Sequence, residues 1–219
     1  MQSNIKIGKI TLNNYRNHKF LKLCPKNEII IINGQNGSGK TNILESISLF
    51  DTPNGFRNAK LNDLIRTSMN GPHELFGVNI DIAKGIKTNK VGVGIKKKDE
   101  LYKKIISVDG EKTTGNYVRE LISIFWIIPK MSYLFQANSD ERRSFLDMMI
   151  SSFDKMHKKR INYYEKYKSE RLQILKNWNN RQTEWLDIIE EKMASTGIIL
   201  CDSRRSFLKL IEQNFLISL

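Results

Sequence analysis

The sequence predicts an α/β fold: a mixed sheet with an antiparallel meander over residues 1–130, followed by a helical second lobe over 131–219. Three observations predict it. Four isoleucines in a row, Ile29–Ile32, run straight into a glycine-rich loop and an amphipathic stretch. Between Leu75 and Val108, short apolar runs are separated by Lys, Gly and Asp. From Asn138 to Leu216 there is no proline and a single glycine, Gly197.

The elements follow in chain order. Ile5, Ile7 and Ile10–Leu12 alternate with polar residues, and Phe20–Leu23 follows a short polar turn, so the chain opens with two strands. Ile29–Ile32 is β-branched throughout, the pattern of a strand buried on both faces at the centre of an α/β sheet. Ile43, Leu44, Ile47 and Phe50 then recur at helical spacing over Thr41–Phe50. Leu75–Ile82, Val91–Ile95 and Leu101–Val108 read as the meander, with Asp109-Gly110 as a turn and Lys96-Lys97-Lys98 as a solvated turn. Ile122–Ile128, ended by Pro129, reads as a further sheet strand. Beyond it, Ile161, Tyr164, Ile174, Leu175 and Trp178 fall near helical spacing, as do Trp185, Leu186, Ile189 and Met193. Asn177–Asn180 reads as a turn between two helices or as a polar face. Sustained heptads of a long coiled coil are missing.

Composition narrows the function classes. The chain has 219 residues, 40% hydrophobic and 27% charged, which suits a packed globular core. No run of about 18 apolar residues is present, and the N-terminus lacks the apolar stretch of a secretory signal. Cys24 and Cys201 match no metal spacing, and His18, His73 and His157 form no zinc motif. Together these point to the cytoplasm and away from a membrane or a metal hydrolase. The net charge is +13, from 36 basic and 23 acidic residues, and the excess is spread along the chain. Such an excess suits a polyanion partner, and it also suits a lysine-rich coding bias.

Gly34-Gln35-Asn36-Gly37-Ser38-Gly39-Lys40-Thr41 matches G-x-x-x-x-G-K-[ST] in full. Glycines let the backbone approach phosphate oxygens, and the N–H groups so exposed form a cup for negative charge. The following helix adds its N-terminal dipole. Lys40 reaches the β- and γ-phosphates, and Thr41 offers its hydroxyl to Mg²⁺. A chain of this length and average composition carries the pattern by chance roughly once in a hundred. The predicted ligand is therefore ATP with Mg²⁺.

Several further segments are collinear with one family. Leu12–His18, Asn33–Leu49, Phe56-Arg57 with Leu61–Arg66, and Trp126–Asp147 together resemble the RecF family of bacterial DNA replication and repair proteins, relatives of the SMC and ABC-type ATPases. The final helices, with Arg181, Trp185 and Glu190-Glu191, resemble its helical lobe. The resemblance implies an ABC-type P-loop ATPase head. It places Arg57, and in the same way Arg16 with Asn17, near the nucleotide phosphates. Read from the residues alone, Arg57 equally suits an exposed surface position and Arg16 an interior polar contact. Arg142-Arg143 would pair with acids in the lobe or touch DNA.

The resemblance also implies an ATP-dependent homodimer, in which each loop is completed by the partner's signature motif. That dimer would clamp double-stranded DNA at gap junctions and work with RecO/RecR-type mediators to load recombinase. Two departures stand out. The family's signature motif and Walker B strand have no counterpart in the 219 residues, and Lys130 stands where the family places a glutamine. The sequence therefore leaves two readings open, an ATP-dependent DNA-binding protein and a truncated, inactive remnant of one. A third, an ABC transporter ATPase subunit, would carry a glutamine loop after the P-loop helix, where this chain has a helical insertion.

Overall fold

A computed structural model describes residues 5–68, 71–72, 75–98, 101–176 and 183–216. The chain divides into two compact units, Met1–Trp126 and Ile127–Leu219. The first is built on β1 (Ile5–Tyr15), β2 (His18–Leu23), β3 (Thr67–Ser68), β4 (Gly71–Pro72), β5 (Gly77–Lys84), β6 (Lys87–Lys98), β7 (Leu101–Val108) and β8 (Glu111–Thr113). Its helices are α1 (Lys40–Ser48) and α2 (Gly115–Leu121), with a 3₁₀ turn at Leu61–Leu64.

Six strands form one sheet in the order β2-β1-β5-β6-β7-β8, and every described ladder in it is antiparallel. The meander forms as the sequence predicts, with Asp109 and Gly110 at positive φ in the β7–β8 turn. Alternation puts Ile10, Leu12, Val78, Ile80, Ile82, Val91, Val93 and Ile95 on one buried face. Burying each such side chain contributes about 1.5–3 kcal/mol. Helix α1 lies in this core through Ile43, and Leu49 and Phe50, just past its last residue, fill the same core. Its C-terminal end is tied down by cations: the Lys104 ammonium donates to the carbonyls of Leu49 and Thr52, and Arg119 pairs with Asp51 at 2.9 Å.

Four expectations need correction. Ile29–Ile32 forms no strand; Ile29 is 82% and Ile31 86% exposed. A β-branched run suits a strand, yet it stays unpaired where no described neighbour runs beside it. Ile122–Ile128 likewise forms no strand, with Ile122 buried and Ile127 exposed. Lys96-Lys97-Lys98 ends β6 and is not a turn. Leu44 is half exposed, while Glu45, Ser46 and Ser48 of α1 are buried. The proposed turn at Asn177–Asn180 and Arg181 lie outside the described residues, as does the side chain of Lys130.

The second unit is helical: a 3₁₀ stretch (Pro129–Gln136), then α3 (Ser139–Phe153), α4 (His157–Lys176) and α5 (Thr183–Leu216). Asn138 caps α3 by accepting from the Glu141 N–H at 2.9 Å. Arg204 on α5 grips Asp147 on α3 bidentately at 2.9 and 2.7 Å, and His157 on α4 meets the same carboxylate at 2.8 Å. Burial works against the Asp147 charge. The bonds from His157 and Arg204 outweigh it and hold the carboxyl down at about 2. Arg171 on α4 pairs with Glu190 on α5 at 2.7 Å. Arg142 donates to the Ala137 carbonyl and Arg143 pairs with Asp140, so both arginines make contacts local to the start of α3.

Candidate nucleotide-binding site

The loop ahead of α1 has the backbone that its glycines allow. Gly34, Gly37 and Gly39 all have positive φ, and Gly39 (φ 93°) is the residue at the N-cap of α1. A side chain at Gly39 is excluded twice. Its conformation is left-handed, and a Cβ would lie 2.5 Å from both Asn17 Oδ1 and His18 Nε2. The β1–β2 turn thus presses against the loop at its helix end, where His18 Nε2 sits 3.3 Å from the Gly39 carbonyl. Asn17 also accepts from Asn42 on α1 at 2.9 Å.

Lys40 arches back over the loop. Its ammonium donates to the carbonyls of Gly34 at 2.6 Å and Gln35 at 2.8 Å. A positive charge is therefore held at the rim of a loop whose residues Gly34–Ser38 are exposed. Thr41 in the first turn of α1 is exposed as well. The first-turn N–H groups of a helix have no intrahelical acceptor and serve an anion. The Lys40 ammonium, the Thr41 hydroxyl and the loop and first-turn amides, of which Ser38 and Asn42 N–H already donate to Gln35 and Gly39, make up the donor set that a triphosphate with Mg²⁺ takes, so the residues fit that ligand. Beside the loop, a cleft of about 450 Å³ is lined by His18, Leu21, Ile30, Ser38 and Lys40, among others.

Behind α1 lies a cluster the sequence did not point to. Glu45 is fully buried and accepts from Arg16 twice, Nε at 3.0 Å and Nη2 at 2.8 Å, and from the Tyr15 hydroxyl at 3.3 Å. Arg57 approaches the same carboxylate at 3.7 Å and donates to Asn42 Oδ1 at 3.1 Å. The structure thus brings Arg16 and Arg57 together on one carboxylate and sets Arg57 against Asn42, the residue that follows Thr41. Burial works against the Arg16 charge, but its bonds to Glu45 raise it above its ordinary value. Burial, then the Glu45 charge, pushes the Tyr15 hydroxyl upward. Arg16 itself has φ 53°, fixed by its N–H to the Leu64 carbonyl at 2.9 Å. The one signal for Glu45 in the sequence was an acid flanked by Ile43, Leu44 and Ile47 on an amphipathic helix.

A family model described as an AAA domain matches residues 9–213. The chain belongs to the AAA domain family. Within the AAA domain family, it is similar to the DNA replication and repair protein RecF of Rickettsia prowazekii, 36% identical over 210 residues covering 96% of this chain and 56% of that protein. It is also similar to RecF of Rickettsia massiliae, 37% identical over 212 residues, 95% of this chain and 56% of the relative. Solved structures of the recombination mediator protein RecF with ATP, and with ATPrS, in the RecFOR pathway superpose with a TM-score of 0.80 at 26% identity. Each match covers 95% of this chain and 55% of that one. The resemblance to RecF and to an ABC-type ATPase head is borne out. The chain spans about 56% of the length of the curated relatives it matches. No described helix is long and apolar enough to cross a membrane.

Proposed function

We propose that this chain binds ATP, with Mg²⁺, at Gly34–Thr41 and acts as an ATP-dependent DNA-binding protein of recombinational repair and replication restart. The observation that carries the reading is Lys40 poised over an exposed loop at a helix start, in a chain alike over 95% of its length to RecF solved with ATP. Thr41 gives its hydroxyl to Mg²⁺, and Lys40 exchanges the two loop carbonyls for phosphate oxygens. Arg57, 42% exposed at its side chain, trades a long 3.7 Å approach to Glu45 and a bond to Asn42 for the phosphates when it turns to them. Arg16, gripped bidentately, supports it from behind. In the reading's fuller form, ATP joins two copies, the pair clamps double-stranded DNA at gap junctions, and RecO/RecR-type mediators cooperate in loading recombinase.

A thermal shift experiment tests the nucleotide half. At an ATP concentration a hundredfold above Kd, with Mg²⁺, binding stabilises the folded chain by about 2.7 kcal/mol. The melting temperature therefore rises with Mg-ATP and stays put with adenosine, which lacks the phosphates. A folded chain whose melting temperature ignores Mg-ATP refutes the proposal and favours an inactive remnant.

A further inference from the structure

The outward face of the six-stranded sheet carries a charge pattern that the nucleotide loop does not use. One register row crosses all six strands: Lys22, Thr11, Asn79, Gly92, Ser107 and Lys112 are successive partners. Neighbouring strands lie about 4.8 Å apart, so five steps span roughly 24 Å. A lysine stands at each end of the row, and everything between is small and neutral. In the row to one side, Lys9 and Lys90 flank Asp81. Towards the other end of β6, Lys96 pairs with Lys103 across the ladder. The residues that alternate with these, such as Ile10, Val78, Ile80 and Val91, fill the core, so the lysines face solvent.

The pattern is more cationic than the chain that bears it. These positions hold six lysines and one carboxylate, Asp81, with a second carboxylate, Asp109, beside Lys90 at the strand end, against 36 basic and 23 acidic residues in the whole sequence. None of the six lysines makes an ion pair among the described residues. The floor is also flat by construction. A Cβ at Gly92 would lie 2.8 Å from Asn79 Oδ1 and 2.8 Å from Ser107 Oγ, so the glycine is what lets these two polar side chains lie down across the strand. At Gly94 a Cβ would meet the Phe76 carbonyl at 2.9 Å.

We propose that duplex nucleic acid lies on this face, with the rim lysines on its phosphates and the Asn79–Gly92–Ser107 floor against the sugar–phosphate backbone. Charge complementarity selects the partner. A duplex presents a phosphate charge every ~1.7 Å of its axis and exchanges bound counterions for lysines. A lipid surface calls for several apolar side chains that insert, whereas this face offers one prominent exposed ring, Phe20 beside Lys22 on β2, against six lysines. The inference rests on the reading of the chain as DNA-binding and assigns the surface that does it.

The test is fluorescence anisotropy of a labelled duplex of about 30 base pairs with the full chain and Mg-ATP, titrated across 50–200 mM salt. Two variants remove rim charge, Lys22→Ala with Lys112→Ala, and Lys96→Ala with Lys103→Ala. A control, Lys166→Ala with Lys168→Ala on α4, removes the same charge elsewhere. Each rim variant binds more weakly, and its log–log salt slope is shallower by about 1.8, which is 0.9 for each lost phosphate contact. The control keeps the original slope. Rim variants with the unaltered slope, or a control that loses as much, overturn the assignment while leaving DNA binding itself standing. A chain with no duplex affinity overturns both. Rim variants that lose binding to phosphatidylserine vesicles but not to duplex reassign the face to lipid.

Discussion

Glu45 shows why a carboxylate inside an ATP-binding fold is informative. A buried charge is costly unless several donors satisfy it, and this one has Arg16, Tyr15 and Arg57. Replacing Glu45 by Ala leaves a partly buried guanidinium without its acceptor and frees Arg57. We expect a loss of about 2–3 kcal/mol in urea-induced unfolding. Glu45→Gln keeps the volume but not the charge, and loses less stability. Gly39 is constrained more tightly. Gly39→Ala places a methyl 2.5 Å from Asn17 and His18 on a left-handed backbone, and Mg-ATP then no longer raises the melting temperature. Gly39 was legible in the sequence, because the P-loop pattern states its own geometry. Glu45 was not, because one acid on a helix reads as solvated until tertiary partners 29 residues away are known.

Single elements show where sequence patterns end. Asn138 ahead of α3 is an N-cap, and Asn138→Ala costs about 1 kcal/mol, measured by denaturant titration. The three-helix contact at Asp147 sets an acid limit. Its folded pKa of about 2 lies below the ordinary aspartate value of 3.8, so its contribution is complete above pH 4 and fades as pH falls through 2. Asp147→Asn therefore flattens the stability profile between pH 4 and 2, as unfolding at a series of acid pH values will show. The meander was legible because its strands pair with sequence neighbours, and alternation alone fixes their faces. Ile29–Ile32 misled for the opposite reason: its composition speaks of burial, whereas burial depends on strands distant in sequence. With Ile31 86% exposed, Ile31→Thr shifts the stability of this chain by less than about 0.5 kcal/mol, where a central strand would lose several times more.

At the scale of the molecule, a net charge of +13 admits two explanations, coding bias or a polyanion partner, and composition does not separate them. The register gathers six of the lysines on one face of the sheet, beside Asp81 and Asp109, and the proposed duplex surface rests on that grouping. The antiparallel sheet and the helical second unit were both legible as classes from periodicity and from the proline-free tail. The convergence of Arg16 and Arg57 on a single carboxylate was not, since nothing local in either segment names the other. The proposed nucleotide binding depends on Lys40 and the loop it spans. The most direct measurement is calorimetric titration of Mg-ATP into the unaltered chain and into Lys40→Ala. Removing a charge-assisted contact to phosphate weakens binding by about 1.5–3 kcal/mol, roughly tenfold to a hundredfold in Kd. Equal affinity in the two proteins would mean that this loop is not where the triphosphate sits.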